Sequence, residues 1–259
     1  MPHFYTSLSP ELSDWLLAQP LFFVASAPLT GAHINVSPKG HPSHSLAVIG
    51  PNQVAYLDST GSGCETISHI YENGRVTLMA CSFGKSPRIM RLFCTGRVVE
   101  RGGDRFQEWL EKTRIKEGIK GCRSVIVLDV FKVQTSCGFG VPVLAHETAT
   151  NENTDVEASA AAYWNDRDTI TNWAQKMEKK GYGAILDYQK QNNVRSLDGC
   201  TGLKAARKAN GEMMLIGDVG ARAGRIAKQW EAIIVGMLLV LGPLLVSRYA
   251  SLPTAQLGW

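Results

Sequence analysis

The chain has 259 residues, of which 44% are hydrophobic and 19% are charged, and its formal net charge is +4. This length and apolar content allow one large domain, or one domain with an appendage, around a normal core. The positive charge is modest and acidic residues are spread along the chain, which argues against a dedicated nucleic-acid-binding protein with a basic face.

Cysteine usage and the N-terminal sequence indicate a cytoplasmic, reducing environment. The six cysteines show no CxxC spacing and no matching histidine pattern, so we predict free thiols and no metal site. Residues 1–15 lack the basic segment and the apolar run of a secretory signal.

Hydrophobic patterning over residues 1–145 favours a small antiparallel β-barrel. A helix is predicted after Ser9, because this serine cap is followed by Pro10 and an acidic first turn. Residues 124–134 are the clearest strand because they are rich in β-branched side chains. The predicted strands cover residues 22–27, 45–50, 53–57, 75–82, 88–99 and 124–134, and a polar helix covers 105–116. About six strands with only short helices between them favour an antiparallel barrel over a parallel βαβ sheet.

The composition changes after Pro142, and the sequence predicts a division into four segments. These are a barrel domain at 1–145, a polar and helical extension at 146–210, a flexible glycine-rich linker at 211–229 and a hydrophobic helix at 230–248. The polar element at 192–199 has no role that its residues reveal.

An apolar run without a charged residue extends from Ala232 to Val246, with basic residues before it and Arg248 after it. A helix that spans a bilayer needs ~20 apolar residues, so this run is marginal in length. We predict a single-pass membrane anchor at 230–248, with the main domain in the cytoplasm because basic residues favour that side. The alternative is a helix that packs on the domain or across a dimer.

A glycine-containing loop at 58–63, between a predicted strand and a helix, is a candidate anion site. Glycines let the backbone approach a ligand closely, and the free N–H groups at a helix start favour negative charge. Ser62, Gly63 and Thr66 are therefore candidate donors to a phosphate. The alternative is an ordinary strand-to-helix turn in which Ser62 caps the helix.

Arg88 and Arg91 are three residues apart, so in a strand they point to opposite faces. Arg91 lies among apolar residues and is predicted to face inward, where it can bind a phosphate or carboxylate with two hydrogen bonds. Arg88 is predicted to face solvent. Glu65 and His69 are four residues apart on one helix face and predict a hydrogen-bonded surface pair.

Several short motifs occur in a fixed order within residues 15–145, a little over half of the chain. They are residues 22–27, 33–40, 56–58, 61–66, 69, 73–75, 87–88, 91–92 and 136–142. In order and spacing they resemble the FMN-binding split-barrel family related to pyridoxamine 5'-phosphate oxidase. The resemblance implies an antiparallel split β-barrel with peripheral helices that binds FMN between the two subunits of a homodimer.

The resemblance also assigns candidate roles to individual residues. It implies that Asn35 and Ser37 lie against the flavin ring, and alternation along a strand places both on one face. It further implies that Lys39 lines the cofactor. We predict that Lys39 and the inward-facing Arg91 supply most of the positive charge at the flavin phosphate. For Lys39, a surface position in a Pro-Gly turn is the alternative.

The chain departs from the family at the phosphate. Pyridoxamine phosphate oxidases place an Arg-Lys pair just after the strand equivalent to residues 56–58, but no arginine or lysine occurs here between Lys39 and Arg75. Each lost charge-assisted hydrogen bond costs about 1.5–3 kcal/mol.

We predict an FMN-dependent oxidoreductase acting on an unidentified small organic substrate. The alternative is a non-catalytic flavin- or small-ligand-binding protein. No side chain stands out as a catalytic acid or base, which suits chemistry carried by a cofactor.

Overall fold

An antiparallel sheet of eight strands, curled into a half-barrel, forms the larger part of the fold. The computed structural model describes residues 2–115, 121–144, 164–165, 168–227 and 229–250. The chain divides into two units, Met1–Thr171 and Asn172–Trp259. The predicted extension begins at residue 146, but residues 145–163 lie outside the described ranges, so that boundary stays a prediction.

The large sheet lies in the first unit, and all of its strand pairs are antiparallel. Its strands are β1 (His3–Tyr5), β2 (Leu21–Ser26), β3 (Asn35–Gly40), β4 (Leu46–Gly50), β5 (Gln53–Ser59), β6 (Arg75–Cys81), β7 (Ile89–Glu100) and β8 (Cys122–Ser136). Their order is β3-β2-β6-β7-β8-β5-β4, and β1 pairs with β8. A separate ribbon joins β9 (Val143–Leu144) to β10 (Trp164–Asn165). The prediction of an antiparallel, barrel-like sheet with peripheral helices is confirmed to the level of this half-barrel.

Within the described part of the first unit, four helices accompany the sheet, namely α1 (Pro10–Leu17), α2 (Pro42–Ser45), α3 (Glu65–Asn73) and α4 (Phe106–Thr113). The start of α1 follows the predicted pattern, because the Ser9 side chain accepts a hydrogen bond from the Leu12 backbone N–H at 3.3 Å. Helix α3 ends at Gly74, whose φ of 70° is in the left-handed region that glycine adopts without strain. Both helix ends are therefore set by local sequence.

The two faces of the sheet carry two separate hydrophobic clusters. The interior face holds the larger cluster, which includes Phe22, Leu78 and Leu92. The smaller cluster lies where α4 packs its Trp109 against Val125 and neighbouring side chains of the sheet. This division follows from the two-residue period of strand side chains. Any charged group on the interior face therefore needs a partner, because burial of an unpaired charge is costly.

Tyr56 places a hydroxyl group in the interior cluster without a hydrogen-bond partner among the described residues. Burial raises the pKa of Tyr56 far above its ordinary value, so the phenol stays protonated. We expect Tyr56→Phe to be neutral, or to raise the free energy of unfolding by about 1 kcal/mol, because it removes an unsatisfied polar atom. Its edge contact with the Phe22 ring, at 5.9 Å between centroids, is retained. Urea denaturation measures the change, and a loss above ~1 kcal/mol would show that the hydroxyl has a partner.

The regular elements of the second unit, over its described residues, are helices. Its helices are α5 (Asp168–Lys179), which crosses the boundary between the units, α6 (Tyr182–Asn192), α7 (Lys204–Ala209), α8 (Met214–Ala227) and α9 (Trp230–Ala250). Helix α8 lies where the sequence predicts a flexible linker. Alanine, leucine and arginine have high helix propensity, and in this segment they outweigh the roughly 1 kcal/mol that each internal glycine costs.

The predicted single-pass membrane anchor at 230–248 is wrong. Helix α9 forms over this segment, but no helix within the described ranges is long and apolar enough to cross a membrane. The uncharged stretch between Glu231 and Arg248 is shorter than the ~20 apolar residues of a spanning helix. It also contains Pro243 inside the helix, a residue that removes a backbone hydrogen bond.

An ion-pair cluster closes the loop at 193–203 in the second unit. Arg207 is buried, and its guanidinium donates to both carboxylate oxygens of Glu212 at 3.0 Å and to Asp218 at 2.6 Å. Arg195, from the loop, donates to Glu212 at 2.7 Å. Glu212 thus joins the loop to α7. The polar element at 192–199, whose role is unknown, is held in place by these ion pairs.

This arrangement predicts that acid loosens the loop. Hydrogen bonds from Arg207 hold the pKa of Glu212 below its usual range. A carboxylate with a lowered pKa stabilises the fold above its unfolded pKa of about 4.5, and this contribution is lost as the pH falls through the lower folded value. We expect hydrogen-exchange protection of residues 193–203, corrected for intrinsic rates, to drop on acidification below about pH 4. Glu212→Gln should remove the pH dependence, and protection that is unchanged by acid would contradict the assignment.

Candidate functional site

Strand β3 directs three of the predicted site residues to the interior face of the sheet. Asn35, Ser37 and Lys39 pair with Ser26, Val24 and Phe22 of β2, respectively, and these β2 residues are buried. The three β3 side chains are half-buried, whereas the intervening residues of β3 are exposed. The predicted shared face of Asn35 and Ser37 is therefore present, and it also includes Lys39.

A polar network connects β3 to α3. The Asn35 amide donates to the Thr66 hydroxyl at 2.9 Å, and the Ser37 hydroxyl donates to the Asn35 side-chain carbonyl at 3.1 Å. Ser26 and His69 share a hydrogen bond of 2.9 Å in the same layer. His69 thus bonds to Ser26 on the sheet, and among the described contacts it is not paired with Glu65 as predicted. Three of the predicted site residues, from two different elements, meet in this network.

A buried carboxylate joins two cations beside the network. Lys39 Nζ lies 3.0 Å from Asp58 Oδ1, and Arg123 Nε lies 2.7 Å from Asp58 Oδ2. The Asp58 side chain is 4% exposed, whereas those of Lys39 and Arg123 are 26% and 28% exposed. The two cations therefore exceed the single anion by one positive charge, and both reach solvent.

The same arginine also binds the predicted anion loop. Arg123 Nη2 donates to the Gly63 carbonyl at 2.9 Å, which fixes the loop to β8. The N-cap residue of α3 is Cys64, whose side chain makes no capping hydrogen bond, so the proposed Ser62 cap is not formed. The exposed Glu65 carboxylate packs against Gly63. The Arg123 guanidinium therefore contacts the loop that leads into α3.

Arg91 lies on the opposite face of the sheet from Lys39. Its neighbours in β7, Met90 and Leu92, are buried in the interior, so the Arg91 side chain points outward. Across the sheet Arg91 is level with Met79 and Gln134, and its Nη1 lies 3.5 Å from the Ser136 hydroxyl. The structure therefore does not bring Lys39 and Arg91 of one chain together.

The prediction of the site from the sequence missed two residues, Asp58 and Arg123. Asp58 follows the apolar residues 54–57 of β5, which is a weak signal for a buried carboxylate. Arg123 lies one residue before the predicted start of its strand at 124. The two meet next to a register shift between Asp58 and Ser59 in the pairing of β5 with β8. A bulge of this kind redirects a side chain and cannot be predicted from residue periodicity.

The chain has a relative in Aspergillus flavus that matches it over almost its whole length. Over 251 residues it is 47% identical to the pyridoxamine 5'-phosphate oxidase family protein ustO, and the match covers 96% of this chain and 97% of that protein. The chain belongs to the pyridoxamine 5'-phosphate oxidase family. No protein-family model matches the chain.

Solved structures that resemble this family member include flavin-binding proteins. A putative pyridoxamine 5'-phosphate oxidase from Lactobacillus delbrueckii is 24% identical, with a TM-score of 0.39, and the match covers 50% of this chain and 94% of that chain. The FAD binding protein from Mycobacterium smegmatis is 15% identical, with a TM-score of 0.35, and the match covers 51% of this chain and 97% of that chain.

The residues of this pyridoxamine 5'-phosphate oxidase family member fit a phosphate group beside Arg123. The bonds to Asp58 and Gly63 use one of the three Lys39 donors and two of the five Arg123 donors. The other donors of these two cations can bind phosphate oxygens. The exposed Glu65 carboxylate has to turn away from Gly63 to admit a second anion. The chain thus lacks the usual Arg-Lys pair and has two cations from other strands instead.

Proposed function

We propose that the protein is an FMN-dependent oxidoreductase that acts on a small organic substrate. The observation that supports this proposal is the Lys39–Asp58–Arg123 cluster beside the uncapped start of α3, in a chain of this family. The cluster carries an excess positive charge at the position where the loop N–H groups also favour an anion. This positive charge compensates for the missing Arg-Lys pair, whose absence otherwise argues against flavin binding.

Each residue of the site has a separate task in this proposal. Lys39 and Arg123 bind the phosphate, and Asp58 holds both cations in position because it accepts a hydrogen bond from each. Asn35 and Ser37 face the flavin ring, and their bonds to each other and to Thr66 fix their orientation. Bound FMN supplies hydride or electron transfer, while the protein supplies binding and orientation.

Visible absorbance of the purified full-length protein tests this function. We expect flavin bands, either directly or after incubation with FMN and removal of the excess on a desalting column. Absence of flavin bands after this treatment would reject the oxidoreductase. Retained FMN that neither reduced nicotinamides nor candidate amine donors can bleach would favour the non-catalytic binding protein.

We also propose that the chain forms a homodimer through the outer face of its sheet. Phe23 and Met79 are neighbours on this face and are half-buried, and Val36 of the edge strand β3 is 59% exposed. These apolar side chains provide a surface that a second copy can cover. Light scattering should show a dimer, and Val36→Asp should weaken it by ~10-fold or more. Leu197→Asp, at an exposed position in the second unit, is the matched control. A monomeric wild-type protein would exclude the dimer.

A further inference from the structure

A cavity of about 400 Å³ lies in the first unit, and its lining shares no residue with the proposed phosphate site. Its polar lining comes from β1, from the residue before β7 and from the end of β8. These residues are His3, Tyr5, Arg88, Thr135, Ser136 and Cys137. Lys39, Asp58 and Arg123 are not among the lining residues. The volume is in the range of pockets that hold small organic ligands, about 300–1,000 Å³.

Strand pairing brings the polar groups of the cavity together. His3 of β1 pairs with Thr135 of β8, and Ile89 at the start of β7 pairs with Ser136. Arg88, which precedes Ile89, is thereby placed beside the same end of β8. The cavity is therefore built from three segments that are distant in sequence and held in register by the sheet.

Arg88 contacts its neighbours through both its backbone and its guanidinium. Its backbone carbonyl accepts a hydrogen bond from the Ser82 N–H at 2.9 Å. The turn after β8 packs closely against the backbone of Arg88. A Cβ atom on Gly138 would lie 2.9 Å from the Arg88 backbone nitrogen. The guanidinium lies over the Trp15 ring, with 5.6 Å from Cζ to the centroid. Arg88 is exposed, as the sequence predicts, and it contacts its neighbours through these groups.

The charge of the lining favours an anion. Arg88 has no salt-bridge partner among the residues that the structure describes, and no aspartate or glutamate lines the cavity. Hydroxyl groups of Tyr5, Thr135 and Ser136 provide further hydrogen bonds. A planar guanidinium binds a carboxylate with two parallel bonds.

We propose that this cavity binds a small organic carboxylate, with Arg88 as the residue that recognises its charged group. Leu12 and Pro87 form the apolar part of the lining and contact the body of the ligand. The proposal does not depend on flavin binding, because the cavity and the proposed phosphate site share no residue.

Calorimetric titration of the full-length protein with benzoate tests the charge requirement. We expect saturable binding of benzoate, and binding at least ~10-fold weaker for benzamide, which has the same shape without the charge. Arg88→Gln should weaken benzoate by ~10-fold or more. Arg105→Gln, which removes an exposed arginine from the N-terminal end of α4, should leave benzoate affinity unchanged. Equal affinities for benzoate and benzamide would overturn the proposal.

Thiol labelling provides a second test that needs no variant. Cys137 lines the cavity and is exposed, and Cys64 and Cys200 are exposed elsewhere. Benzoate should slow the alkylation of Cys137 by iodoacetamide several-fold, as followed by peptide mass spectrometry, and leave the rates at Cys64 and Cys200 unchanged. Equal rates at Cys137 with and without saturating benzoate would show that the ligand binds outside the cavity.

Discussion

Replacing Asp58 with asparagine should lower the free energy of unfolding of the first unit by about 2–4 kcal/mol. The carboxylate is almost fully buried and pairs with both Lys39 and Arg123. Removal of one partner from a buried ion pair typically costs about 3–5 kcal/mol, because the remaining charge is left without compensation. The two cations are about one quarter exposed, so solvent screens part of this loss. Thermal denaturation followed by circular dichroism should show a midpoint lower by roughly 5–10 °C.

Asp129→Asn is the matched control for this experiment. Asp129 also forms an ion pair, with Arg97 at 3.2 Å, but both side chains are nearly half exposed. Exposed pairs of this kind contribute about 0–1 kcal/mol. A loss for Asp58→Asn no larger than for Asp129→Asn would show that burial of the cluster does not determine stability.

Neutralising Arg123 should weaken FMN binding by ~10-fold or more, and neutralising Lys39 should have a similar effect. A charged hydrogen bond contributes about 1.5–3 kcal/mol, and both cations retain donors that Asp58 does not use. Arg123→Gln and Lys39→Gln are suitable changes, because each leaves Asp58 paired with the other cation. Titration followed by flavin fluorescence gives the dissociation constants, and circular dichroism checks that the variants are folded.

Arg91→Gln separates the two possible positions of the phosphate. The apolar neighbours of Arg91 in the sequence predict that it faces inward and binds the phosphate, whereas the structure places it on the outer face of the sheet. If the phosphate lies beside Arg123, we expect Arg91→Gln to change FMN affinity by less than about 3-fold. A 10-fold loss for Arg91→Gln, with no loss for Arg123→Gln, would place the phosphate on the outer face.

The strands were predictable because their signal is local. Strands β5, β7 and β8 extend over Gln53–Ser59, Ile89–Glu100 and Cys122–Ser136, within about two residues of their predicted ends. Alternation also predicted that Arg88 and Arg91 do not share a face. The three-residue strand β1 was not predicted, since so short a segment has almost no period of its own.

The composition of the site was only partly predictable because it depends on register. Local patterns and the resemblance predicted four site residues that do share the interior side of the fold. These are Asn35, Ser37, Lys39 and Thr66. The pairing of Asp58 with Arg123 joins residues 65 positions apart in the chain. A shift of one residue in the pairing of two strands reverses which side chains face each other, and no single segment encodes that choice.

The short strand β1 has a consequence for handling the protein. His3, Phe4 and Tyr5 pair with residues 133–135 of β8, beyond the part of β8 that β5 covers. Without them, this stretch of β8 would present unpaired backbone groups along an open edge. Open edges recruit strands from other chains and promote aggregation. Deletion of the first seven residues should therefore reduce recovery of unaggregated protein, and an affinity tag is better placed at the C-terminus than ahead of His3.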